Sequence, residues 1–234
     1  MGRSLARLLA ARGDRVFLLG RDLDELHRSA ADLSVRGSRQ PVGVALCDLD
    51  RPDTFDAALA EAERVLGGLD VVVVTAGLFA TQDRLEADPV LTERLLTTNF
   101  THTVLFCERV RTRLLASGGG TLCVFSSVAG DRGRKPVILY GAAKAGLSSY
   151  LEGLDHKFRS KGLVVVCVKP GFVRTSMTAG LPAPPLAGDP DQVAARVLVA
   201  IDRGSPVVYA PPIWAIVMLV IRMLPRFVMR RLHI

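Results

Sequence analysis

Cysteine is scarce in this chain, and its four copies (Cys47, Cys107, Cys123 and Cys167) lie far apart with no Cys-x2-Cys pair. A zinc ribbon or a disulfide framework therefore has no support. Reduced thiols in a cytoplasmic protein are expected instead, three in strands and Cys107 in a helix. None of the histidines His27, His102, His156 and His233 has a partner at metal-ligand spacing, so no metal site is expected. The N-terminus has no apolar core followed by a cleavage site, which argues against secretion. No acidic residue follows Asp202. The apolar run Ile213 to Ile221, even with Met223 and Leu224, falls short of the roughly 20 residues that span a bilayer. The basic residues are not interleaved with aromatics, so nucleic acid is not the expected partner.

What is present fits one domain of 234 residues, 49% hydrophobic, long enough to bury a large core. No linker or internal repeat divides it. Helices are expected at about 2–12, 22–35, 52–66, 91–116 and 138–159. Strands are expected at 15–19, 42–46, 70–75, 121–126 and 163–168. The strand segments are runs of β-branched residues without polar alternation, the pattern of strands covered on both faces. Strands alternating with helices imply an α/β fold with a doubly wound, parallel, Rossmann-type sheet.

Ser127, Tyr140 and Lys144 carry the chemistry. Tyr140 and Lys144 are four residues apart, one helical turn, on one face. Ser127 follows a buried strand, and strand ends next to helix starts are where open α/β sheets place their sites. A phenol there can exchange a proton with a substrate oxygen, a neighbouring ammonium favours its ionised form, and a serine hydroxyl can hold the same oxygen. The set suits interconversion of a carbonyl and an alcohol. Asp131 and Arg132, just past the serine, can reach substrate, although charges at a loop edge are usually solvated.

Ser126-Ser-Val-Ala-Gly, Tyr140-Gly-Ala-Ala-Lys144-Ala-Gly and Lys169-Pro-Gly-Phe-Val-Arg-Thr175 together resemble the short-chain dehydrogenase/reductase family over nearly the whole chain. The resemblance implies Tyr140 as general acid/base and Lys144 as ligand of the nicotinamide ribose. It implies Ser127 as the group orienting substrate and Asn99 as anchor of a water-linked proton relay. Asp48 would meet the adenine edge. Pro170, Gly171, Val173 and Thr175 would border the nicotinamide. Leu181-Pro-Ala-Pro-Pro-Leu186 falls at the family's substrate loop, with a stiff connector as the alternative. Members are usually dimers or tetramers built on the two long helices, so a homo-oligomer is expected.

The chain departs from the family pattern twice. Thr75-Ala76-Gly77 replaces Asn-Ala-Gly, keeping a hydroxyl at the first position. A complete member also opens with a strand and a Thr-Gly-x3-Gly-x-Gly turn, whose glycines let the backbone approach a pyrophosphate at a helix N-terminus. This chain opens on the helix itself, with Gly2 in the place of the last fingerprint glycine. The missing strand would lie mid-sheet, between the family's second and fourth. Two readings stay open. The start is assigned too far downstream, and in-frame DNA above it encodes an apolar strand and a glycine-rich turn. Or the chain is a remnant that binds nucleotide poorly or not at all.

At the end of the second family strand an acidic residue would select NAD through the ribose 2′-hydroxyl. Gly20 stands there, followed by Arg21, which favours a 2′-phosphate. Asp22 comes too late and is expected to cap the next helix. NADP(H) is therefore the expected cofactor, with NAD the alternative.

Residues 1–210 are expected to form the Rossmann-type domain, and 211–234 an apolar, basic helical tail. Residues 203–234 hold five arginines (Arg203, Arg222, Arg226, Arg230 and Arg231), most of the formal charge of +7. An apolar body, Trp214 and a basic flank suit contact with an anionic membrane surface. The alternative is a final helix packed on the sheet or on another subunit. The tail, from Val208-Tyr-Ala-Pro-Pro-Ile-Trp to Met-Leu-Pro225-Arg and Arg-Arg-Leu, together with Ala129-Gly-Asp-Arg-Gly-Arg, resembles the reductases of decaprenylphosphoryl-ribose 2′-epimerisation. That resemblance implies a keto-sugar on a polyprenyl phosphate, reduced at the inner face of the membrane. Reduction of another lipidic ketone, of 3-ketoacyl or sphingoid type, and a non-catalytic binding subunit are the alternatives.

Overall fold

Strands and helices alternate along the chain in a computed structural model that describes residues 1–37, 41–182, 184 and 186–232. In order they are α1 (Gly2–Arg12), β1 (Phe17–Gly20), α2 (Leu23–Val35), β2 (Gly43–Leu46), α3 (Phe55–Leu66), β3 (Val71–Val74), α4 (Gln82–Ala87), α5 (Pro89–Leu96) and α6 (Thr103–Ala116). There follow β4 (Gly120–Phe125), α7 (Ile138–Phe158), β5 (Leu163–Pro170), α8 (Pro190–Arg203), β6 (Val207–Ala210), α9 (Ile213–Met223) and α10 (Arg226–Arg231).

Every ladder is parallel. One sheet runs β3-β4-β5-β6, and β1-β2 forms a separate pair. The central strands have helices on both faces, because successive side chains point to opposite sides. Leu122 and Val124 of β4 pack with Leu59 of α3, Val110 and Leu114 of α6 and Leu147 and Leu151 of α7. Cys123 and Phe125, the alternate residues, pack with Leu5 of α1 and Val193 and Val197 of α8. The doubly wound α/β arrangement expected from the sequence is present.

β1 and β3 share no hydrogen bonds among the described residues. Both line one cavity of about 1410 Å³, together with α1 and the ends of α2 and α3. The break falls where the sequence placed a missing strand. It has a local cost: β1 and β2 hold no fully buried residue, whereas four of the six residues of β4 are buried.

Several segments differ from expectation, and α4, α8 and β6 lie where no element was read. The helix read at 91–116 starts at Pro89, capped by Asp88, whose carboxylate accepts from Leu91 N at 3.0 Å. It is interrupted by a π-helical turn, Thr97–His102. Such turns insert one residue into the helical repeat and occur often at functional sites. Cys47 lies just after β2 rather than within it. Asp22 caps α2 as expected, accepting from Glu25 N at 2.9 Å.

Candidate active site

The end of β4 runs directly into the serine loop. Ser126 Oγ donates to Lys144 O at 3.0 Å and shares a hydrogen bond of 2.7 Å with Ser148 Oγ. Ser127 Oγ accepts from Ala129 N at 3.1 Å and makes a long contact of 3.5 Å to Pro170 O, at the end of β5. The loop then lies against the backbone of α7 with no side chain between them. A Cβ on Gly130 would stand 2.6 Å from Lys144 C, and one on Gly141 would stand 2.8 Å from Ala129 O. Glycine at both positions is what lets Ser127 approach Tyr140 and Lys144.

Tyr140 and Lys144 project from the first turns of α7 toward that loop, with Lys144 Nζ 5.9 Å from the centroid of the Tyr140 ring. Phe79 packs edge-on against the same ring at 5.1 Å. Lys144 is 4% exposed, and its ammonium donates to Phe125 O at 2.9 Å. Asn99, fully buried in the π turn, accepts from Leu78 N at 2.7 Å and donates to Leu78 O at 2.6 Å. Gly77 lies against both: a Cβ there would be 3.2 Å from Asn99 Oδ1 and 3.7 Å from Lys144 Nζ.

The electrostatics correct one expectation. The neighbouring ammonium was to favour ionised Tyr140. Burial instead pushes the phenol up to about 12, with the Ser127 hydroxyl acting the other way. Burial also brings Lys144 down to about 8. Desolvation outweighs mutual help because both groups leave water together and Lys144 is turned to a backbone carbonyl.

The remaining expected residues fall into two groups. Gly2, Arg21, Asp48, Thr75, Ala76 and Gly77 all line the cavity beside β1 and β3. Gly2 and Thr75 touch, since a Cβ on Gly2 would meet Thr75 Oγ1 at 2.6 Å. Pro170 ends β5 instead, and Gly171, Val173 and Thr175 follow it. Val173 is buried and bridges to Gly188, and Thr175 caps the turn Ser176–Thr178. Of the proline-rich stretch, Ala183 and Pro185 lie outside the described residues, as does His233. No cluster with metal-ligand geometry occurs among the described residues.

A buried network went unread in the sequence. Asp131 is not solvated. Its side chain is 3% exposed, bonded to Lys169 Nζ at 2.6 Å and to Tyr209 OH at 2.8 Å. It ties the serine loop to the ends of β5 and β6. A lysine inside an apolar strand run was the available signal, since such a charge needs a partner. The tail meets the same loop: Arg132 donates to Leu224 O at 3.0 Å and Lys135 to Arg230 O at 2.7 Å. Two buried side-chain nitrogens, Arg134 Nε and Trp214 Nε1, have no hydrogen-bond partner among the described residues. Leaving a buried donor unpaired costs about 1–3 kcal/mol.

The residues fit a nicotinamide cofactor. The Gly77 backbone lies on Lys144 and Asn99, and one continuous cavity runs from there past Asp48 to Arg21.

The short chain dehydrogenase family model matches residues 1–185. An uncharacterised oxidoreductase of Mycobacterium tuberculosis is 34% identical over 99% of this chain and 92% of its own length. One of Streptomyces coelicolor is 35% identical over 99% and 91%. A solved short-chain type dehydrogenase/reductase of Mycobacterium ulcerans superposes with a TM-score of 0.78 at 20% identity, over 89% of this chain and 83% of that one, and so shares the fold. With its serine loop, tyrosine–lysine helix and parallel sheet, the chain belongs to the short chain dehydrogenase family of oxidoreductases.

Proposed function

We propose that the chain is an NADP(H)-dependent carbonyl reductase of a lipidic ketone, with a lipid-linked keto-sugar as the first substrate to test. One observation carries the reading: a buried hydroxyl, ammonium and amide and a half-buried phenol lie around the end of β4. A bound reduced nicotinamide supplies the hydride. Tyr140 gives its proton to the substrate oxygen, and its raised pKa keeps that proton in place at neutral pH. Ser127 orients the same oxygen. Lys144, within reach of Gly77, holds the ribose. Asn99 spends its amide on Leu78 and so fixes the Gly77–Leu78 backbone that faces Lys144.

Support for NADP(H) comes from the end of β1. Arg21 is exposed there, Gly20 has no side chain, and the Asp22 carboxylate is used to cap α2. Support for a lipidic substrate comes from the tail, read as residues 211–234 appended to a domain of 1–210. Met218 faces inward, while Ile216, Leu219, Val220, Met223 and Phe227 are exposed beside Arg222, Arg226, Arg230 and Arg231. No helix among the described residues is long and apolar enough to cross a membrane. The tail is therefore read as lying on an anionic membrane surface at the inner face. Phe100 and Leu105, exposed at the start of the long helix, support assembly of copies along it.

The test is NADPH oxidation across a panel of lipidic ketones. Tyr140→Phe should lower turnover by about 100- to 10,000-fold and leave NADPH affinity within about twofold. Full turnover in that variant removes the mechanism. No NADPH-dependent shift of melting temperature favours the non-catalytic reading.

A further inference from the structure

Asn99 is presented by the π turn Thr97–His102, which breaks the helical repeat between α5 and α6. Such geometry is rare, and here side chains help to hold it. Within the stretch, Thr103 Oγ1 donates to Thr98 O at 2.8 Å. The other contacts come from the loop after β2. Thr98 Oγ1 donates to Asp50 Oδ1 at 2.5 Å. Arg94 donates to Asp50 Oδ2 from Nε at 2.8 Å and from Nη2 at 2.7 Å. His102 Nδ1 lies 2.6 Å from Leu49 O, and because a carbonyl only accepts, that nitrogen carries the proton. Arg94, Thr98 and His102 follow one another at intervals of four, so one face of the helical stretch is fastened to one loop.

The loop is itself braced. Asp50 N donates to Asp48 Oδ1 at 3.0 Å, and Asp48 N donates to Thr54 Oγ1 at 3.1 Å. The Asp50 side chain is 27% exposed, on the wall of the large cavity beside Asp48. Burial raises its pKa, but the bonds from Thr98 and Arg94 more than offset this and hold the carboxyl below its ordinary range. An ionised carboxylate only accepts, which suits a ring of donors, and its bonds are about twice as strong as neutral ones. The residue after Thr98 is Asn99, whose amide takes both the N–H and the carbonyl of Leu78. Gly77, beside Leu78, lies against Lys144. A carboxylate on the cavity wall is thus linked, through Thr98 and Asn99, to the backbone that faces the lysine.

We infer that Asp50 is a positioning residue, which holds the π turn so that Asn99 keeps the Gly77–Leu78 backbone in place against Lys144. Without the Thr98 bond the turn is free to relax toward the commoner α-helical repeat. A change of register by one residue swings a side chain by about 100° around the axis, which takes Asn99 off Leu78. The effect on turnover rests on the carbonyl-reductase reading, whereas the effect on Leu78 does not.

The test is hydrogen exchange in the full chain without cofactor, read at Leu78 and, as a control, at Leu122–Phe125 of β4. Thr98→Val keeps the side-chain volume and removes the donor. It should speed exchange at Leu78 by roughly tenfold, the worth of one hydrogen bond to a charged group, and leave β4 within about twofold. Asp50→Asn should do the same, and the two changes together should do no more than either alone, because both break one link. Thr98→Ser, which restores the hydroxyl, should return Leu78 to its native rate. In NADPH oxidation with a lipidic ketone, Thr98→Val should lower kcat by about tenfold and leave NADPH affinity within about twofold. Unchanged exchange at Leu78, equal acceleration at Leu78 and β4, or effects that multiply in the double variant overturn the inference, as does native kcat in Thr98→Val. Faster Leu78 exchange in both variants of a chain that oxidises no NADPH supports the link and counts instead against the carbonyl-reductase reading.

Discussion

Burial moves the two titratable groups of the site in opposite directions, and this sets their working range. Lys144, brought down to about 8, is charged at neutral pH but loses its proton just above it. If the ammonium holds the ribose, NADPH binds best below pH 8. Its Kd should then rise by about tenfold per pH unit above pH 8, since one proton is linked to binding. Titrations from pH 7 to 10 check this, and a flat profile removes Lys144 from the binding set. Tyr140 shifts the other way, up to about 12, so loss of activity between pH 8 and 10 should trace to Lys144 and not to the phenol. Ser127, Tyr140 and Lys144 could be proposed from their spacing along the chain, and Asn99 from the family resemblance. The Asp131–Lys169–Tyr209 network could not, because its members lie 38 and 78 residues apart and only burial joins them. The link from Asp50 to Thr98 was hidden for the same reason.

At the scale of elements, the sequence pattern located the first five strands and the helices between most of them, since a continuous apolar run of four to eight residues between polar breaks has few other solutions, but it gave no reading for α4, α8 or β6. The π turn at Thr97–His102 was not visible, because periodicity barely registers one inserted residue. The break beside β1 has a dynamic consequence. β1 and β2 lack a neighbour on the β3 side and bury little, so they open locally at small cost. Amides of Phe17–Gly20 and Gly43–Leu46 should exchange at least about 100-fold faster than those of β4 and β5. Equal protection in a hydrogen-exchange experiment would mean that the β1–β2 pair is held as firmly as the main sheet. Packing of the serine loop is the opposite case. Gly141→Val should destabilise the fold by about 1–3 kcal/mol through overpacking, read by denaturant titration, because the Ala129 carbonyl has nowhere to move.

At the scale of the molecule, charge and apolar surface are unevenly placed. The cations of the serine loop and tail (Arg132, Arg134, Lys135, Arg222, Arg226, Arg230 and Arg231) make no ion pair among the described residues, and the one neighbouring carboxylate, Asp131, is taken by Lys169. The chain should sediment with vesicles containing anionic lipid and not with neutral ones, and moderate salt should weaken the association. Replacing Met223 and Phe227 by Ser should reduce it by roughly tenfold, given the apolar area withdrawn. Equal sedimentation of the variant would remove the membrane role of the tail.

By itself the sequence determined the family and the parallel doubly wound sheet, and it supplied the spacing from which the site is proposed. All of these are written in local pattern and fixed intervals along the chain. Only the tertiary structure decided what burial does to Tyr140 and Lys144, how Asp131 is neutralised, and that Asp50 bonds to the turn carrying Asn99. Those outcomes depend on which distant residues share a space from which water is excluded, and that information is carried by packing rather than by order along the chain.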